Sequence, residues 1–318
     1  RVDEAAHALE SAEEFLRTAS RISVMSPWVE ALPQTATEFR PRLLRLKAKT
    51  HLVRGELEQA IAYFDRAARM FLVAGDQVSA ADTWIWRIIA LRFLGRYREC
   101  IQESKRIEEL LTGQPDSTRI RAANLHNRGV SEFSLGDLGP ALADLQRARE
   151  LFLLTDDVVS QANVMQDLGI AARASGRLDE ALEYYGAALR LWEQLQIPGS
   201  AANTLNSLGY IYCLKGEVPE AENILNDALA RSREAGALRF EAIILSTLGD
   251  LHKDNGDYPH ALELFGDSLR VAQRAHDAFV SVHSKIATAD TQRLLGDFGH
   301  AREWLNSAVE SVKVSRSS

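Results

Sequence analysis

An all-α solenoid of helix-turn-helix repeats is the fold class this sequence predicts, and three observations predict it. Seven glycines, Gly55, Gly95, Gly136, Gly176, Gly216, Gly256 and Gly296, recur at intervals of 40, 41, 40, 40, 40 and 40 residues. A small residue follows each glycine by five positions, at Ala60, Cys100, Ala141, Ala181, Ala221, Ala261 and Ala301. Runs of alternating β-branched residues, the signature of strands, are absent. A strict period of this kind marks a stack of one supersecondary unit, and such stacks bind more often than they catalyse.

Each element of the unit follows from its residues. After the first small residue comes a large one, at Phe64, Leu145, Tyr185, Leu225, Phe265 or Leu305, with Ser104 as the departure. A second small residue follows at Ala67, Ala148, Ala188, Ala228, Ser268 and Ala308, with Ile107 in unit two. Spacings of four and three place these on one face of a helix, helix B. The glycine itself suits a left-handed helix end. Pro140, Pro219 and Pro259 fall in the first turn of helix B, where a missing N–H costs nothing. Upstream, helix A carries Gly129, Gly169, Gly209 and Gly249 at one fixed phase. Each costs about 1 kcal/mol of helix propensity relative to alanine, so the spacing predicts a neighbour too close for a Cβ.

Leu168-Gly169, Leu208-Gly209 and Leu248-Gly249, with the small-large-small helix B, resemble the tetratricopeptide repeat (TPR). That resemblance implies a right-handed superhelix whose A helices line a concave face. Two departures stand out: the period exceeds the usual length of about 34 residues, and units one, two and seven have Lys47-Ala48, Arg87-Ile88 and Thr288-Ala289 instead of Leu-Gly.

The expected organisation is a truncated half repeat over 1–20, an irregular insertion over 21–37, seven repeats over 38–314 and a tail over 315–318. Arg1 to Leu16 align with Arg177 to Trp192, so that Ala5 and Ala12 match Ala181 and Ala188, and the chain reads as cut from a longer solenoid. Pro27 and Pro33 predict a short helix near Trp28–Leu32 between loops. WVEALP followed by RPRLLRLKAK resembles the entrance to the repeat domain of MalT-like, large LuxR-type bacterial transcription activators. The resemblance implies flanking ATPase and helix-turn-helix domains. Long repeats of this kind also resemble those of kinesin light chains.

Composition bounds the function. With 46% apolar and 25% charged residues the chain is ordinary for a folded protein. A net charge of −7 argues against gripping a nucleic acid backbone directly. No apolar run is long enough for a membrane span. Two cysteines, Cys100 and Cys213, suit a reducing cytoplasm, and Cys100 takes a packing alanine's place. No P-loop, no Gly-rich dinucleotide turn and no zinc-type His/Cys spacing is present. His276 and His283 lie across a turn between units without forming a metal set. The chain is expected to be no enzyme and to hold no cofactor and no metal.

The candidate binding residues are therefore helix-A side chains not used for packing. Phased on the glycines, they are Arg92, His126, Asn127, Asn163, Gln166, Arg173, Asn203, Asn206, Tyr210, Asp250, Lys253, Asp290 and Arg293. Asparagine is a poor helix-interior choice, yet Asn163, Asn203 and Asn206 gather around Gln166. Amides donate and accept, so they can pair with a peptide backbone whatever its side chains. Arg92, Arg173, Lys253 and Arg293 share one phase as a basic ladder, interrupted by Phe133 and Cys213. Trp84 and Trp86 both read as packing before ligand anchors, with a pocket wall as the lesser alternative for Trp86. The predicted partner is a protein or peptide segment, or a small-molecule inducer, together with flanking domains of the parent chain. The reading is a binding module of a larger bacterial transcriptional regulator or signalling ATPase, with a constitutive protein-protein scaffold as the alternative.

Overall fold

In the computed structural model, residues 2–13 and 19–317 are described, and they form seventeen α-helices with no strand among them. They divide into two compact units, one up to Ser160 and one from Gln161. None of the described helices is long and apolar enough to cross a membrane.

In the first unit α1 (Val2–Glu13), α2 (Ala19–Glu30) and α3 (Gln34–Thr37) precede three helical hairpins. These are α4 (Pro41–Val53) with α5 (Leu57–Val73), α6 (Gln77–Phe93) with α7 (Tyr97–Leu110), and α8 (Thr118–Leu135) with α9 (Leu138–Phe152). The second unit takes in most of α10 (Val158–Ala174) with α11 (Leu178–Gln194), then α12 (Pro198–Lys215) with α13 (Val218–Glu234). It continues with α14 (Leu238–Asp254) and α15 (Tyr258–Arg274), and with α16 (Ala278–Leu294) and α17 (Phe298–Ser317).

All seven phase glycines have φ between 72° and 89°. At Gly256 its N–H donates to Lys253 O at 3.0 Å while Asp257 N–H donates to His252 O at 2.9 Å. This double closure of the last helical turn recurs at the other six glycines, which is why the period is so strict. The turns between repeats use the same geometry at Gly75 and Gly236, but at Gln196 and His276 a side-chain-bearing residue takes φ of 54° and 53°.

The helix-A glycines answer to packing. A Cβ on Gly169 would sit 2.6 Å from the Tyr185 ring, and one on Gly249 would sit 2.6 Å from the Phe265 ring. Leu145 and Leu225 crowd Gly129 and Gly209 in the same way, at 2.9 and 2.6 Å. The large residue of helix B thus fills the notch that the glycine leaves. Cys100 is buried where the alanines are, its Sγ 3.6 Å from Ile88 O, and burial pushes its thiol pKa up.

The amino-terminal segment differs from expectation. The buried face of α1 is Ala6, Leu9 and Glu13, while Ala5 is exposed, so α1 does not follow the Ala5/Ala12 register of a helix B. The stretch 14–18 of that expected half repeat, including Leu16, lies outside the described residues. Over 21–37 the short helix near Trp28–Leu32 is replaced by the twelve-residue α2, which contains Pro27 and is followed by α3. Ile22 and Val29 bury against Leu43 and Leu46 of α4 with Met25 beside them, and that helical spacing overrides the proline signal. At the other end α17 continues to Ser317.

Candidate functional site

Ten of the thirteen phased side chains lie on α10, α12, α14 and α16 of the second unit. Asn163 is exposed on α10, and Gln166 accepts a 3.2 Å hydrogen bond from Thr204 Oγ1 of α12. Asn203 and Asn206 follow on α12, half-buried. Asn206 Oδ1 is buried and has no hydrogen-bond partner among the described residues. Arg92 Nε and Asn124 Oδ1 of the first unit share this condition. The Arg173 guanidinium lies over the Tyr210 ring at 5.1 Å. Beside it the buried Tyr185 hydroxyl has its pKa pushed up, chiefly by burial. Cys213, one turn beyond Tyr210, has its thiol pushed up to about 11 by burial, so it is neither a thiolate nor a nucleophile at neutral pH.

Further along this unit, Asp250, Lys253, Asp290 and Arg293 come together around a cavity of about 380 Å³. Lys253 donates to Asp250 Oδ1 at 3.0 Å and lies 3.8 Å from Asp290, which Arg293 contacts at 2.8 Å. Ile286, Ala287, Ala289, Ala301 and Leu305 give the cavity an apolar floor, and His283 stands at its rim, hydrogen-bonded with Ser246 at 3.1 Å. The expected basic ladder is thus a charge-alternating cluster here: each cation already faces a carboxylate.

In the first unit the phased residues serve the fold. Asn127 is only 4% exposed; its Nδ2 donates to Ala123 O at 2.8 Å and its Oδ1 accepts from Arg92 at 2.7 Å. His126 packs edge-on against Phe152 at 6.3 Å. Trp84 packs against the α4–α8 core, and Trp86 lies 4.6 Å from the Lys49 ammonium.

A buried ionic network in this unit is built on residues outside the predicted set. Glu13 of α1 reaches α4, where Arg45 Nε donates to it at 3.0 Å and Lys49 Nζ also contacts it. Arg45 continues to Asp82 at 3.2 Å, and Arg119 reaches Asp82 at 2.5 Å. Burial alone would raise the Asp82 pKa, but Arg45 and Arg119 outweigh it and hold the carboxyl at about 2. Glu13 likewise is held below its ordinary value by Lys49 and Arg45 against burial. Arg45 and Lys49 stand at the phase of Gln166 and Ile170, ten and six residues before the turn glycine, so phasing unit one would have found them.

The chain belongs to the tetratricopeptide repeat family, whose model matches residues 120–194, 158–234, 200–274 and 240–313, and its fold is that of a protein-interaction solenoid. Among solved structures, the apo form of RapI superposes with a TM-score of 0.70 at 12% identity, covering 87% of this chain and 99% of that one. A signal transduction ATPase with numerous domains (STAND) from Pyrococcus horikoshii, with a tetratricopeptide repeat sensor, superposes with a TM-score of 0.72 at 16% identity. That match covers 97% of this chain and 47% of the STAND chain. A Rap protein complexed with competence and sporulation factor gives 0.71 at 13% identity over 96% of this chain and 83% of that one. At such identities the likeness is one of fold. No curated protein matches the sequence.

Proposed function

We propose that the α10–α16 face of the second unit binds an extended peptide segment of a partner protein. The observation that carries this reading is the set of side-chain amides on the successive helices α10 and α12, exposed Asn163 and half-buried Gln166, Asn203 and Asn206. Amides of this kind accept from and donate to a peptide backbone, and the Asp250–Lys253–Asp290–Arg293 cavity, with its apolar floor, suits one charged side chain of the same segment. In the first unit both ends of the Asn127 amide are engaged, by Arg92 and by Ala123 O, and we read that contact as acting in folding. No step of this reading is catalytic.

The wider context we infer is a sensor or interaction region of a larger bacterial regulator, working in the cytoplasm, as the WVEALP…RPRLL segment suggests. Two unpaired cysteines support a reducing compartment. A Rap protein complexed with competence and sporulation factor and a STAND protein with a tetratricopeptide repeat sensor share this fold. A small-molecule inducer and a constitutive scaffold are the competing readings.

Selection of a displayed random-peptide library on the chain tests the proposal. Enriched peptides are expected to bind the Asn163→Ala/Asn206→Ala variant about tenfold more weakly, the equivalent of one good hydrogen bond to a buried group. Failure to enrich any peptide, or equal binding by the variant, would overturn it.

A further inference from the structure

We infer that the turn between α14 and α15 is a site for a divalent first-row transition ion such as zinc. His252 lies in the last turn of α14, Asp257 caps α15, and His260 stands in its first turn. One donor atom from each lies within 4.8 Å of the others. The two imidazoles face one another, with centroids 4.2 Å apart and planes 7° from parallel. Asp257 Oδ1 accepts from His260 N–H at 3.3 Å, which leaves Oδ2, 3.9 Å from His252 Nδ1, pointing at the cluster.

Two imidazoles and one carboxylate form a donor set suited to zinc, copper, nickel or cobalt, and too poor in oxygen for calcium or magnesium. Closing around an ion with bonds of about 2.0–2.1 Å needs the donors to approach and the rings to leave their parallel stack. His260 and Asp257 are exposed and can move, while half-buried His252 supplies the fixed point. Its other ring nitrogen, Nε2, lies 3.7 Å from Glu222 Oε1 on α13. A carboxylate behind a ligating histidine orients the ring and raises its basicity, the usual outer partner of a metal-bound imidazole.

The repeats themselves supply the control. The three positions lie four before, one after and four after the turn glycine. Unit one places His51, Glu56 and Gln59 there, and unit seven places Gln292, Asp297 and His300. Unit five has Tyr212, Glu217 and Glu220. In unit six alone do two histidines and a carboxylate coincide, on a scaffold that is otherwise the same turn. Sequence spacing hides the set, because His-x4-Asp-x2-His matches no helical metal motif; the tight turn at Gly256 folds it together.

Titration of the tag-free, chelator-treated chain with Zn2+ against a chromophoric competitor tests the assignment. One equivalent is expected to bind, His260→Ala to weaken binding by more than about tenfold, and Glu222→Gln by up to about tenfold. His300→Ala, at the matching position one repeat on, is expected to bind as the native chain does. His260 is exposed, so its loss should leave the helical circular dichroism unchanged. No zinc uptake by the native chain, or unaltered uptake by a folded His260→Ala chain, would overturn the site.

Discussion

Glu132 shows how one residue can set a pH dependence. It sits one turn before Gly136, with its Oε2 buried and without a hydrogen-bond partner among the described residues. Burial first, and then the Asp144 charge nearby, raise its pKa to about 7, although Arg128 pulls the other way. Arg128 is itself engaged by Asp144 and by Glu108 at 2.9 Å, so its charge is only partly available to Glu132. In the folded chain Glu132 therefore keeps its proton to about pH 7, whereas the unfolded chain loses it near 4.5. Its contribution to stability is complete below pH 4.5, declines as pH rises and is gone above about 7. Glu132→Gln is expected to remove that decline. Discounted for partial exposure, the gain at pH 8 should be about 1–2 kcal/mol, with little change at pH 4. Urea unfolding of the two chains at both pH values checks it; parallel profiles would exclude the mechanism.

At the scale of the helix, the same substitution should act with opposite sign at two glycines. Gly169 of α10 and Gly266 of α15 are both helix-interior positions, and each gains about 1 kcal/mol of helix propensity on becoming alanine. At Gly266 nothing lies within 4 Å of the added Cβ, so Gly266→Ala should stabilise by about 0.5–1 kcal/mol. At Gly169 the Tyr185 ring is 2.6 Å away and is itself fully packed, so it cannot withdraw. Overpacking costs about 1–3 kcal/mol, and set against the propensity gain Gly169→Ala should come out up to about 2 kcal/mol less stable. Thermal melts of both variants decide it; a stabilised Gly169→Ala chain would mean that the notch is slack. Helix-A glycines were legible in the sequence because their cost recurs at one phase, as were the turn glycines, whose left-handed backbone glycine adopts most readily. Phase could have located Arg45 and Lys49, but their pairing with Glu13 was not legible: the partners are 32 and 36 residues apart, and only the docking of α1 on α4 joins them. The candidate face was legible in part. Phase located Asn206 and Lys253, but the burial of Asn127 and the carboxylates facing Lys253 and Arg293 are products of packing between neighbouring helices.

Across the molecule the repeat design makes stability a sum over neighbours, because each hairpin buries its face only against those beside it. The large helix-B residue reports this directly. Leu225 is 0% exposed, enclosed by Gly209 of its own hairpin and by Ala242 and Leu245 of the next. Leu305 occupies the same position in α17, the last described helix, and is 48% exposed in the lining of the charged cavity. Removing a fully buried leucine side chain costs about 2–5 kcal/mol, of which part is the cavity left behind. A half-exposed leucine leaves no enclosed void, and its truncation should cost less than about 1 kcal/mol. Leu225→Ala is thus expected to lower the urea midpoint strongly and Leu305→Ala hardly at all, although the two residues are chemically identical and equally placed in their repeats. Hydrogen exchange should agree, with amides of α12–α14 losing protection in the first variant and only those of α16–α17 in the second. Equal destabilisation by the two would show that the α17 position is enclosed in solution, and the cavity around Asp250 and Arg293 with it.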